Sequence, residues 1–158
     1  MTNPIPAHRL QLAEHAPRAY GAMFRFSTSI ELDEGLRNLI DIRASQINGC
    51  AFCLDMHWKD ARAAGESEER LAMIPAWRES PLFDAREAAA LALTEAITLI
   101  SDGHVPDDVW EAASAQFDQD ELAHLVLAIT AINAWNRMSI TTRVEPGHYQ
   151  PGMFATQA

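Results

Sequence analysis

Apolar residues along the chain recur at spacings of three and four, the signature of helices that each bury one side. Leu36, Leu39, Ile40 and Ile42 mark a helix from about Asp33 to Gln46. Tyr20, Met23, Phe24 and Phe26 form a shorter apolar face between Pro17 and Ser27. Asn48-Gly49 is a strong turn signal, so a further helix is predicted from near Cys50 to Ala64, stopped by Gly65. Ser67 opens a short helix that ends near Pro75. Asp84 with Glu87, and Asp118 with Glu121, have capping-box spacing. They predict long apolar helices to about Ile100 and Thr142, with one between them that starts at Pro106 and runs to Phe117. No stretch alternates apolar and polar positions long enough for a strand. The expected fold class is therefore all-α, with about six to seven helices.

The expected division is an N-terminal arm (1–16), one helical domain (17–143) and an irregular tail (144–158). The arm carries Pro4 and Pro6, and the tail Pro146, Gly147, Pro151 and Gly152.

Composition changes this picture little. The 158 residues are 48% hydrophobic and 22% charged, as in an ordinary globular domain. The net charge of -10 matters more. With no Lys/Arg cluster to offset it, it argues against nucleic acid and anionic membrane surfaces as partners. No apolar run resembles a signal peptide or a membrane span. The expected location is the cytoplasm, where thiols stay reduced and a Cys-x-x-Cys reads as redox-active or metal-binding rather than as a staple.

The chain has one such motif, Cys50-Ala51-Phe52-Cys53, followed by His57, and these are its only two cysteines. Residues three and four apart lie on one side of a helix, so Cys50, Cys53 and His57 share a stripe. A small local adjustment brings the two sulfurs to bonding range. Placed just after the Asn48-Gly49 break, the cysteines meet unpaired amides and the positive end of a helix dipole, which favour a thiolate. His57 can accept a thiol proton and return it to a leaving group. Two other readings stand beside this one: a pair of buried structural cysteines, and a three-ligand zinc site made of Cys50, Cys53 and His57.

The run from Leu36 to His57, with its Arg43-Ala44-Ser45-Gln46-Ile47-Asn48-Gly49-Cys50-Ala51-Phe52-Cys53 centre, resembles the core motif of AhpD-like alkylhydroperoxidases in the carboxymuconolactone decarboxylase superfamily. Ala61-Arg62 with Gly65, Trp77-Arg78, Arg86-Glu87 and Ile132 to Arg137 fit as well. The resemblance implies an AhpD-like helical bundle that assembles as a homo-trimer or homo-hexamer. It implies reduction of a small hydroperoxide, with Cys53 peroxidatic, Cys50 resolving and His57 in the proton relay. An external dithiol (a lipoyl protein, thioredoxin or similar) would re-reduce the pair, with no cofactor or metal. A lactone decarboxylase or a non-enzymatic redox-sensing module are the alternatives.

The chain departs from the family pattern at one place. The relay glutamate twelve residues before the first cysteine is replaced by Asn38, which cannot take a proton. Glu87 and Glu34 are the candidate substitutes, with Glu87 favoured because it lies in a family-like segment. Each also has a plain structural role, Glu87 in a capping box and Glu34 against a helix dipole. Trp58, Trp77, Trp110 and Trp135 are expected in the core or at subunit contacts, with Met56 and Met138 as core fillers. Asn133, Asn136 and Arg137 are expected to be hydrogen-bonded within a subunit interface.

Overall fold

In a computed structural model, residues 7–154 are described, and they are helical with no strand among them. The order is α1 (Leu12–His15), α2 (Pro17–Thr28), α3 (Glu34–Asn48), α4 (Ala51–Ala63), α5 (Glu68–Met73), a 3-10 turn (Ile74–Glu79), α6 (Ala85–Thr98), α7 (Asp107–Gln116) and α8 (Gln119–Thr142). The expected all-α class is the observed one. Pro4, Pro6 and the last four tail residues lie outside the described part.

Local signals explain the helix ends. Asp84 accepts from the Glu87 amide while Glu87 returns to the Asp84 amide, and Asp118 and Glu121 do the same at α8. Gly49 ends α3 in the left-handed region, at φ 70°, where a side chain would be strained.

Three details differ from the sequence expectation. Residues 12–15 of the arm form a helical turn. The helix expected to end near Pro75 stops at Met73 and tightens into the 3-10 turn. Pro106 caps α7 from outside its first turn.

Helix α3 is the central post. One side packs Leu36 and Ile40 against Leu93, Leu125 and Ile129 of α6 and α8. The other packs Leu39 and Ile42 against Ala61, Leu71, Ile74 and Leu91. Each such fully buried aliphatic side chain stabilises the fold by roughly 1.5–3 kcal/mol.

The tail is strapped along α4. Lys59 Nζ donates to Asp55 (2.9 Å) and to the Tyr149 carbonyl (3.0 Å), and the Gly147 amide donates to Asp55 (3.0 Å). Tyr149 Oη donates to Asp60 (2.7 Å), and Tyr149 stacks on Phe154. Burial, with the Asp60 carboxylate beside it, pushes the Tyr149 phenol up to about 12. At the other end, the Arg9 amide donates to the Thr142 carbonyl (2.8 Å).

Candidate active site

The turn between α3 and α4 carries the cysteines. Cys50 is the N-cap of α4 in extended backbone, and its sulfur accepts from the Cys53 amide at 3.3 Å. Sulfur thus occupies the place where Asp84 and Asp118 put carboxylates. Cys50 and Cys53 are joined in a disulfide, with Cα atoms 5.3 Å apart. Both residues are buried.

A network of amides fixes the turn from behind. Asn48 donates to Asn133 and Asn136, each at 2.9 Å, and Asn136 donates on to Ser45 at 3.0 Å. Arg137 donates to Asn133 at 2.9 Å. The polar groups expected at a subunit interface therefore find these partners within the chain, because α8 runs past the end of α3. Leaving such buried groups unpaired would cost about 1–3 kcal/mol each.

In front of the turn lies a cavity of about 380 Å³. Cys53 and His57 both line it, together with Phe52 and Met56 of the same helix. Phe24 of α2 and Trp135 of α8 form the facing wall. Residues 8 and 10–13 cover one side, and Val144 and Phe154 bring the strapped tail to the lining. Trp135 is held by an indole hydrogen bond to Ser27 (2.6 Å) and by the edge-on Tyr20 ring. Burial pushes the Tyr20 phenol upward. Trp135, Met56 and Met138 are thus cavity lining as well as packing residues.

The carboxylate on this cavity is Asp41, which the sequence expectation missed. It is 3% exposed and projects from α3. Its Oδ2 accepts from Arg37 Nε at 2.9 Å and stands 3.7 Å from His57 Nδ1. Its Oδ1 is buried and has no partner among the described residues. A sequence signal for it exists: Asp41 interrupts the apolar run Leu39-Ile40-Asp41-Ile42. A charge in a buried helix stripe is either paired or functional.

Neither expected carboxylate lines the cavity, which corrects the expectation of Glu87 or Glu34 beside His57. Glu87 is occupied by its capping box and by Arg70, at 2.5 Å. Glu34 is exposed in the first turn of α3, seven residues before Asp41. That separation is roughly 10 Å along a helix. Their places at helix starts, set by local capping and dipole compensation, hold them away from the cavity.

Comparison with known proteins follows the same lines. Residues 17–96 match the sequence profile of the carboxymuconolactone decarboxylase family. The uncharacterized protein YdfG of Bacillus subtilis is 41% identical over 137 residues, covering 85% of this chain and 93% of its own. A crystal structure from Agrobacterium tumefaciens, of a protein of unknown function named for a proposed AhpD antioxidant defence role, superimposes with a TM-score of 0.86 at 37% identity. It covers 90% of this chain and all of its own. An uncharacterized peroxidase-related protein from Silicibacter shares the fold, with a TM-score of 0.71 at 24% identity over 86% of this chain and 72% of its own.

Proposed function

The chain belongs to the carboxymuconolactone decarboxylase family, with the AhpD-like fold, and from that premise we propose that it is a thiol-dependent peroxidase acting on organic hydroperoxides. The observation that carries this reading is the Cys50–Cys53 pair at the start of α4, with Cys53 and His57 on the same apolar cavity.

In the reduced protein, the Cys53 thiolate attacks the terminal oxygen of the hydroperoxide. The O–O bond breaks, Cys53 becomes a sulfenic acid, and the alkoxide leaves. Protonated His57 gives that alkoxide its proton and releases the alcohol. Cys50 then displaces the sulfenic oxygen, forms the disulfide and loses its thiol proton, so water departs. The sum is two thiols and one hydroperoxide to one disulfide, one alcohol and one water. An external dithiol restores the pair by exchange through a mixed disulfide. The Cys53 amide bonded to the Cys50 sulfur supports the reduction half of this cycle, since that amide and the α4 dipole stabilise negative charge on Cys50, the thiolate released when an external thiol opens the disulfide at Cys53.

The cavity supports an organic substrate over hydrogen peroxide. Its roughly 380 Å³ is an order of magnitude above the space of about 30 Å³ that one water occupies in the liquid. Aromatic and thioether side chains on its walls suit a carbon skeleton. Assembly as a trimer or hexamer, and residence in the cytoplasm, belong to the same proposal.

The test is a thiol count on reduced protein before and after one equivalent of cumene hydroperoxide. Two thiols per chain should be lost, and Cys53→Ser should abolish the reaction. Full peroxide consumption by Cys53→Ser with a competent dithiol would end this reading.

A further inference from the structure

We propose that the hydroperoxide taken by this site carries a carboxylate on its apolar body, and that Arg37 binds that carboxylate; this deepens the peroxidase reading and rests on it only in the kinetic arm of the test below. Three observations carry it. First, Arg37 lines the cavity, and its guanidinium makes one hydrogen bond among the described residues, from Nε to Asp41 Oδ2 at 2.9 Å. A guanidinium has five N–H donors, so the four on the two Nη groups are left over. Arginine and carboxylate pair best through two parallel bonds. Here a single bond joins them, and the forked end is spare. Second, that end is not sealed in the core. The Arg37 side chain is 21% exposed, and the buried side-chain polar atom without a partner among the described residues is Asp41 Oδ1, not an Arg37 nitrogen. Third, the cavity has a charge balance unlike that of the whole chain. The net charge of the chain is -10, yet the lining has one carboxylate, Asp41, against the Arg37 guanidinium and two histidines, His8 and His57. An anion that the chain as a whole repels finds a guanidinium here.

The placement suits a two-part ligand. Asp41 Oδ2, which holds Arg37, stands 3.7 Å from His57 Nδ1, and His57 follows Cys53 by about one turn of α4. Arg37 thus belongs to the same stretch of wall as the reacting pair. Phe24, Phe52, Met56 and Trp135 supply apolar wall for a carbon skeleton. In the bound state the carboxylate accepts from the Arg37 Nη groups, the skeleton lies on the aromatic wall, and the peroxide is presented to Cys53. Charge-assisted hydrogen bonds of this kind are strong, and stronger where water is largely excluded. The substrate class is therefore an aryl or alkyl hydroperoxide with a carboxylate, rather than a wholly apolar one. An arginine kept only for an ion pair with the residue four positions on would give no such preference.

The experiment measures, by calorimetry, the binding of two matched inert probes to the whole protein in its disulfide form. The probes are octanoate and octanamide, which share a carbon chain and differ in charge. The parent should bind octanoate about tenfold more tightly than octanamide, and Arg37→Gln should lose that preference. Equal affinities in the parent, or a preference that survives in Arg37→Gln, overturn the assignment. Should Arg37→Gln fail to fold with Asp41 left unpaired, the double variant Arg37→Gln/Asp41→Asn, which leaves neither charge alone, carries the same test with the same outcomes. In the kinetic arm, reduced protein is given cumene hydroperoxide and its para-carboxylate derivative. The ratio of kcat/KM for the carboxylated over the plain compound should fall about tenfold in Arg37→Gln, and an unchanged ratio overturns the proposal. If the parent consumes neither hydroperoxide yet keeps an octanoate preference that depends on Arg37, the peroxidase reading is lost and the carboxylate site stands. If both are consumed and octanoate is not preferred, the reverse holds.

Discussion

Asp41 and Glu95 are both carboxylates at mostly buried positions in this bundle, and their surroundings are opposite. Glu95 of α6 has donors on both oxygens. Its Oε1 accepts from Arg43 (2.8 Å) and the Trp77 indole (2.9 Å), and its Oε2 accepts from Arg78 (2.5 Å). Burial alone would raise its pKa, but the donors Trp77, Arg78 and Arg43 outweigh burial and hold it below the ordinary glutamate value. Asp41 has one oxygen between Arg37 and His57 and the other without a partner among the described residues. A fold that uses a charge to tie helices together gives both of its oxygens a donor. A charge left half-satisfied on a cavity, beside a histidine and a disulfide, points to chemistry instead.

The contrast can be broken most directly at Glu95. Glu95→Gln removes the negative charge that Arg43 and Arg78 share, and should cost about 2 kcal/mol at neutral pH, read from urea unfolding. The folded-state pKa of Glu95 is depressed, so its contribution is present above the unfolded value of about 4.3 and lost as pH falls through the folded value. The parent and Glu95→Gln should therefore converge in stability in acid. A penalty that persists unchanged there would mean packing, not charge, sets the cost.

A smaller effect is expected at the strap, where Asp60 accepts from Tyr149. Tyr149→Phe should cost about 1 kcal/mol. The raised folded pKa means that this contribution is complete below the unfolded tyrosine value of about 10 and vanishes as pH rises toward about 12. Thermal melts across that alkaline window should show a loss in the parent that Tyr149→Phe lacks.

The smallest change in stability belongs to Asp41→Asn. Neutralising a half-satisfied buried charge should leave the unfolding free energy within about 1 kcal/mol of the parent. A loss as large as that of Glu95→Gln would erase the distinction drawn between the two carboxylates.

Helix positions and the Cys-x-x-Cys turn were legible in the sequence because their causes are local. Capping boxes, the Gly49 turn and the spacing of Cys53 and His57 along α4 depend on groups three or four residues apart, whereas Cys50, expected on the same helical stripe, is the N-cap of α4 in extended backbone. Even the errors at helix ends are small, as at α3, which runs two residues past Gln46. The carboxylate of the site was not legible in that way. Glu87 and Glu34 had helix-start positions that a sequence pattern favours, yet what places a side chain beside His57 is the side of α3 that meets α4. That side is chosen by the two apolar clusters α3 divides, one toward α6 and α8 and one toward α5 and the 3-10 turn. The cavity wall is equally non-local, since Phe24, Trp135 and Phe154 come together from 130 positions of chain. Spacing along one helix is a property of the backbone, whereas the meeting of two helices is decided by how all the apolar surfaces are buried at once.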